Sequence, residues 1–361
     1  MKKQKFCCGM LSGLLVAGSC FASGCSGTKD VVKAEDYALT DLHLHLDGSL
    51  SVAAVRELAE MQGIAVPEKD EELLPLLQVD TDCRDLNEYL EKFDFTVSLL
   101  QTEEALSTAV YQLEKELKDL GMLYAEIRFA PQLHTQNGLS QAEVVAAAIE
   151  GMNRCDFRSN LILCCMRGDD NHEQNMETVQ VAKEYLGKGV VAIDIAGAEA
   201  LYPTENFEDL FLLAKQLDLP YTIHAGEADG PSSVYKALEF GAKRIGHGVR
   251  SVEDQELMQK LAEENVTLEL CPTSNLNTNI FESLDEYPLL ELMEAGVKVT
   301  INSDNMVVSG TNVEAELQKL IDTFGLEKEQ LQTLAKNAVE ASFADEETKD
   351  WLRAELEKRF Q

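Results

Sequence analysis

Positive charge is what this chain has least of. Its 31 Lys and Arg stand against 64 Asp and Glu, a formal net charge of −33 over 361 residues. Such a surface repels phosphate backbones and anionic lipid headgroups, so no nucleic-acid partner is expected. A disulfide framework is also missing. Of nine cysteines, Cys7, Cys8, Cys20 and Cys25 crowd the first 25 residues, while Cys83, Cys155, Cys164, Cys165 and Cys271 are odd in number and irregular in spacing. No Cys-x-x-Cys pair offers a metal site. No glycine-rich phosphate loop follows the first strand-like run, which argues against an open doubly wound nucleotide-binding sheet. Histidine is scarce, with six in the whole chain, so their placement carries information.

The amino terminus differs from the rest. Lys2, Lys3 and Lys5 precede an uncharged, largely apolar run from Phe6 to Phe21, followed by small residues around Cys25. This is the pattern of a secretory signal peptide over residues 1–25, with an apolar core too short for a membrane span. The ending "FASGCSG" also resembles a bacterial lipobox, with Ala22 where leucine is usual. In such a sequence the cysteine becomes the lipid-bearing first residue of the mature protein. The expected location is therefore outside the cell, anchored by lipid on Cys25 to the outer face of a bacterial membrane. A plainly cleaved signal or a retained anchor is the alternative. Residues 26–36 have the polar character of a tether, and 37–361 that of one domain.

Strand-like and helix-like runs then alternate. Strands are expected over 38–45, 123–129, 161–166, 190–195, 221–224, 244–247, 267–270 and 297–302, with amphipathic helical segments between them. A mostly helical insertion, 50–121, separates the first two strands, and helical segments over 313–324, 326–341 and 346–359 close the chain. Eight strand-then-helix units predict an α/β fold, a (β/α)8 TIM barrel with a helical insertion after strand 1 and extra C-terminal helices.

In such a barrel the working face lies at the carboxyl ends of the strands. Four of the six histidines fall there: His43 and His45 in "TDLHLHLDGSL", His224 in "YTIHAGEADG" and His247 in "RIGHGVR". Read with a two-residue period, Asp41, His43, His45 and Asp47 share one face of the first strand, with Leu42, Leu44 and Leu46 on the other. His134 and His172 lie in loop-like surroundings and read as surface residues. One strand-end histidine is as readily structural as functional; four together are hard to explain by packing.

Imidazoles and a carboxylate suit Zn²⁺, and a catalytic zinc site leaves a position open for water, which it activates near neutral pH. His43, His45, His224 and Asp304, from three strand ends, are the candidate ligands of one zinc ion per chain. The fourth strand, ending "VAIDIAGAEA", has no lysine to bridge a second metal. Glu227, three residues beyond His224, is then a candidate proton shuttle. His247 could orient the attacking water, take its proton or stabilise an oxyanion. The plainer alternative is a polar network that supports the ligands.

Eight stretches in order, "LHLHLDGSL", "YAEIRFAP", "LILCCMR", "VVAIDIAGAE", "TIHAGEADG", "RIGHGVR", "LELCPTSNL" and "VTINSDN", spread over residues 38–305, resemble the successive motifs of adenosine deaminase. The resemblance implies a zinc-containing (β/α)8 barrel that hydrolyses adenosine or 2′-deoxyadenosine to inosine or 2′-deoxyinosine and ammonia. It implies zinc on His43, His45, His224 and Asp304, with His45 also bordering the substrate. Glu227 matches the acid that protonates purine N1 and His247 the water-orienting histidine, with Asp304 assisting. Asp47 matches a contact to the ribose 5′-hydroxyl, where adenine deaminases usually carry glutamate, and Gly197 matches a backbone donor to purine N3. Tyr89 and Phe93 match an apolar helix that gates the pocket, although i, i+4 spacing alone more often means core packing. Asn305 stands where many relatives have aspartate; its amide donates to purine N7 without needing protonation.

Two rivals follow from the same residues. One is an enzyme of this fold acting on adenine or a modified purine. The other is a surface nucleoside- or zinc-binding lipoprotein without catalysis, for which Glu227 and His247 beside a full ligand set would be superfluous.

Overall fold

Apolar runs that stop at a polar residue give eight short parallel strands. A computed structural model describes residues 32–360; the expected signal peptide, Cys25 and the first part of the expected tether lie outside the described residues. The strands are β1 (Thr40–His45), β2 (Tyr124–Phe129), β3 (Arg158–Met166), β4 (Val190–Ala196), β5 (His224–Ala225), β6 (Arg244–His247), β7 (Thr267–Leu270) and β8 (Lys298–Ile301). They form two four-stranded parallel sheets, β1-β2-β3-β4 and β5-β6-β7-β8. Both seams are closed by single bridges. At one, Ile193 pairs with Tyr221, the Thr222 amide donating to the Ile193 carbonyl at 3.0 Å. At the other, Leu44 pairs with Asp304. There His45 N–H donates to the Asp304 carbonyl (2.7 Å) and Asp304 N–H to the His43 carbonyl (2.8 Å). The expected barrel is thus the observed one, and its second seam runs through three of the candidate zinc ligands.

The insertion between β1 and β2 holds five helices, α1 (Val52–Met61), α2 (Asp70–Leu77), α3 (Leu86–Leu90), α4 (Phe93–Leu99) and α5 (Glu103–Asp119). The outer ring continues with α6 (Gln141–Asn153), α7 (His172–Tyr185), α8 (Glu208–Gln216), α9 (Pro231–Glu239), α10 (Gln255–Glu263), α11 (Pro272–Asn277) and α12 (Leu289–Glu294). The chain ends in α13 (Val313–Phe324), α14 (Lys328–Ala341) and α15 (Glu346–Phe360). Leu42 of β1 and Tyr124 of β2 pack outward against Ala335, Ala338 and Val339 of α14 and Leu352 and Leu356 of α15. The C-terminal helices therefore cover the barrel, as their alternating charged and apolar residues suggest. Among the described residues, no helix is long and apolar enough to cross a membrane.

The structure differs from the sequence expectation at several elements. β5 is only His224–Ala225, and Tyr221 contributes an isolated bridge. Helices α9 and α11 were not anticipated, although Pro231 and Pro272 at their first positions are a helix-start signal. Within the expected tether, Ala34–Asp36 form a 3-10 turn that buries Ala34.

Candidate active site

β1 carries the site because its two faces obey the alternation. Leu42, Leu44 and Leu46 are buried on the barrel's outside, and Asp41 and His43 are buried within. At the carboxyl ends, ligand atoms of His43, His224, His247 and Asp304 lie within 4.8 Å of one another, a buried group able to hold a metal ion. His45 adjoins it: its Nε2 stands 3.4 Å from Asp304 Oδ1 and 3.4 Å from His224 Nε2. His43 Nε2 is 3.4 Å from the same Asp304 oxygen and has no hydrogen-bond partner, although wholly buried. Nitrogen lone pairs converging on one carboxylate suit a cation of the zinc class.

The polar neighbour on the far side of each ring sets its tautomer. His43 Nδ1 donates to Glu269 Oε2 at 2.8 Å, and His224 Nδ1 lies 2.7 Å from Asp194 Oδ2, so both rings present an Nε2 lone pair to the centre. His247 is arranged the other way. The Tyr287 hydroxyl donates to Asn275 Oδ1 at 3.1 Å, turning the Asn275 amide N–H toward His247 Nδ1, also at 3.1 Å. A neutral His247 then carries its proton on Nε2, 3.6 Å from Glu227 Oε2. His247 and Asp304 both adopt left-handed backbone, φ +58° and +59°, strain of the kind that concentrates at functional sites.

Beneath the imidazoles lies a buried ionic layer. Arg128 Nη1 donates to Asp194 (2.7 Å), and its Nη2 donates to Glu269 (2.8 Å) and to the Leu42 carbonyl (2.6 Å). Arg244 donates to Glu269 from Nε (2.6 Å) and to Glu126 from Nη1 (2.5 Å). Burial alone would raise the Glu269 pKa, but Arg128, Arg244 and His43 hold it well below the usual carboxylate range. His43 and His224 therefore each rest on a carboxylate that stays ionised, Glu269 and Asp194.

Glu227 is held differently. Burial pushes its carboxyl well above the usual range, and the nearby charges of Asp304 and Glu199 add to the effect. It stands neutral in the wall of a cavity of about 340 Å³ that His45, Asp47, His224, His247, Asp304 and Asn305 also line. Gly197 (φ +108°) and Met166 line the side formed by β3 and β4. Asp47 Oδ1 and Asn305 Oδ1 are buried without partners, and burial raises Asp47 to about 6. A Cβ on Gly48 would stand 1.9 Å from Asn305 Oδ1, so the Asn305 amide lies where only glycine leaves room.

Tyr89 and Phe93 roof the cavity, but not from one helix. Tyr89 is the penultimate residue of α3 and Phe93 opens α4, their rings 6.1 Å apart. Nor is Tyr89 purely apolar, because its hydroxyl shares a 2.7 Å hydrogen bond with Ser309 beyond β8. His134 is also corrected. It is wholly buried against Phe129, with neither ring nitrogen hydrogen-bonded, and burial lowers its pKa to about 4. His172 is exposed, facing Asp209.

The chain matches the adenosine deaminase family model over residues 38–359. It is 47% identical to the adenosine deaminase of Haemophilus ducreyi over 339 residues, 91% of this chain and 98% of the other. The chain belongs to the adenosine deaminase family. The adenosine deaminase of Enterococcus faecalis is 39% identical, over 89% of this chain and 96% of its own. Among solved structures, an adenine deaminase from Arthrobacter aurescens superposes with a TM-score of 0.79 at 29% identity, covering 89% of this chain and 98% of its own. An Arabidopsis N6-mAMP deaminase gives 0.79 at 27%, covering 90% and 99%.

The buried His and Asp cluster is the metal site typical of zinc-dependent adenosine deaminases. The sequence singled out His43, His224, His247 and Asp304, which the fold gathers into one buried group, and His45 beside it, but not what orients them. Asp194, Glu269, Arg128 and Arg244 sit inside the quoted motifs as charged residues within apolar strands, and that oddity was the available signal. Asn275 offered no such sign, since its partner is 28 residues away.

Proposed function

We propose that this protein hydrolyses adenosine and 2′-deoxyadenosine to inosine and 2′-deoxyinosine with release of ammonia, using one zinc ion held by His43, His45, His224 and Asp304. The observation that carries the reading is Glu227, a buried neutral carboxyl facing the metal cluster across one cavity, in a chain 47% identical to an adenosine deaminase. A zinc ion held by these residues would supply the Lewis acidity that activates water for attack on purine C6. Glu227 donates its proton to N1, where the ring would otherwise accumulate negative charge. His247, its Nε2–H fixed by Asn275, orients the attacking water and stabilises charge on its oxygen as the C6–N bond breaks. Asp304, whose Oδ1 stands 3.4 Å from both His43 Nε2 and His45 Nε2, accepts a hydrogen bond from the same water.

The cavity supports a nucleoside. Asp47 offers a buried, unpartnered carboxylate oxygen for a ribose hydroxyl, Gly197 a backbone donor for N3, and Asn305 an amide for N7. The lining holds no Lys or Arg to receive a 5′-phosphate. Rates on adenosine, deoxyadenosine, adenine and AMP separate the substrates: adenosine and deoxyadenosine are expected far ahead, and adenine in first place would overturn the nucleoside assignment. Loss of adenosine absorbance that a chelator abolishes is the test of the reaction. Unchanged absorbance with zinc-loaded protein would favour a nucleoside-binding lipoprotein.

Export with a lipid on Cys25 belongs to the same proposal, resting on Lys2, Lys3, Lys5, the apolar run to Phe21 and the sequence around Cys25. Mass spectrometry of the membrane fraction is expected to find a diacylated Cys25 at the mature amino terminus. An unmodified soluble chain would exclude it.

A further inference from the structure

Glu199 lies just past β4, buried, and is itself neither a member of the metal cluster nor part of the cavity lining. All its recorded hydrogen bonds go to one short segment. Oε1 accepts from the Gly226 amide (2.7 Å) and the Ser233 hydroxyl (2.5 Å). Oε2 accepts from the amides of Glu227 (3.0 Å), Ala228 (2.8 Å) and Asp229 (3.0 Å). Four consecutive backbone N–H groups turned to one point form a nest of the kind that binds anions, and here a carboxylate of the same chain fills it. The curl needs Gly226, at φ +71°, whose absent Cβ would otherwise press within 2.4 Å of Val234.

The segment so held runs from β5 into α9 and carries Glu227. Among the described residues no side chain hydrogen-bonds the Glu227 carboxyl; His247 Nε2 is 3.6 Å away, beyond hydrogen-bond length. The direction of that carboxyl therefore depends on its backbone, and the backbone depends on Glu199. A second clamp reinforces the first. Arg167 Nη2 donates to the His224 carbonyl (2.7 Å) and to Thr204 Oγ1 (2.9 Å), and Thr204 shares a 2.7 Å hydrogen bond with Ser233, which returns to Glu199.

We propose that Glu199 is the positioning residue for Glu227, a built-in anion that holds the loop so that the proton donor faces the base. This rests on the deaminase reading above. Charge-assisted hydrogen bonds to backbone amides are among the stronger ones, and losing alignment of a proton donor is felt in turnover before it is felt in binding.

The test is Glu199→Gln, which keeps the shape but turns an NH₂ group toward N–H donors. With zinc content at the wild-type level, kcat on adenosine is expected to fall roughly 10–100-fold, with KM and inosine affinity within about twofold. Hydrogen exchange is expected to speed up at the amides of residues 226–229 while the other strands stay protected. Should Glu199→Gln fail to fold, Ser233→Ala removes one of the donors, and a smaller fall in kcat with faster exchange at the same amides is expected. Wild-type kcat in the folded variant, or a kcat loss that merely tracks lost zinc, would overturn the proposal. A wild-type protein that leaves adenosine unchanged would instead overturn the reaction, and the amide-exchange result would still decide the role of Glu199 in the loop.

Discussion

A carboxyl that must give up a proton at neutral pH has to be prevented from ionising; burial raises the Glu227 pKa, and the charges of Asp304 and Glu199 add to it against the opposing pull of Arg167. With an ordinary pKa it would be deprotonated above about pH 4.5; raised, it holds the proton through neutrality and loses it as pH climbs through the raised value. Activity is therefore expected to decline on the alkaline side. Glu227→Gln removes the transferable proton while leaving the imidazoles untouched, so zinc content should persist while kcat drops on the order of 10²–10⁴-fold. His45→Ala should instead lower zinc content and activity together. Metal analysis beside steady-state kinetics separates the two patterns, and full activity in Glu227→Gln would sink the mechanism. At this scale the sequence is informative where side-chain type and a two-residue period act together: His43, His45 and Asp47 could be placed from eleven letters. Glu199 and Asn275 could not, since their function arises from groups 27 to 34 and 28 residues away, on other elements. His134 was misplaced for a related reason. A loop-like local sequence says nothing about the helical insertion that buries it.

The insertion between β1 and β2 is an element whose ends are fixed and whose middle closes the cavity. Hydrogen bonds near the cavity join its middle to the loops after β7 and β8. The Val79 amide donates to the Val308 carbonyl (2.9 Å), Asn279 Nδ2 donates to the Cys83 carbonyl (2.7 Å), and Tyr89 hydroxyl meets Ser309. Cys83, Leu86 and Tyr89 also pack with Val308 as a small apolar cluster apart from the barrel core. A lid tied by few contacts opens at low cost. Tyr89→Phe keeps the packing and deletes one tie, worth roughly 0.5–1.5 kcal/mol. KM for adenosine should rise several-fold, with kcat changed less and zinc unaffected. An equal fall in kcat with KM unmoved would instead place the hydroxyl in the chemical step. The barrel strands were legible because both of their faces are buried and their sequences are mostly apolar, with polar residues at inward-facing positions. The break between α3 and α4 was not, because an i, i+4 pair of aromatics reads the same across a short kink.

The whole barrel divides its labour between its two ends. Strain and unpartnered polar atoms gather at the carboxyl ends of the strands, in Asp47, His247, Asp304 and Asn305. At the opposite end one buried group works against stability. Glu114 of α5 is buried against the start of β3, bonded to the Ser159 hydroxyl through one oxygen while the other has no partner, and burial raises its carboxyl to about 8. Below about pH 4.5 this group is protonated whether the chain is folded or not, and it makes no difference to stability. As pH rises from there toward 8, the unfolded chain ionises Glu114 and the folded chain does not, so stability is progressively lost across that window. Glu114→Gln supplies a neutral side chain of the same shape that can still accept from Ser159. It should leave stability at pH 4.5 nearly unchanged and raise it at pH 8.5 by on the order of 2–4 kcal/mol, the scale of such a shift after relaxation. His134 acts on the other side. With its pKa lowered to about 4 by burial, it contributes stability that is complete above about 6.5 and lost as pH falls toward 4. Denaturant unfolding of wild type and Glu114→Gln at both pH values checks the assignment. A gain of equal size at pH 4.5 and 8.5 would mean that the variant improves packing, and that the buried carboxyl carries no charge-dependent cost.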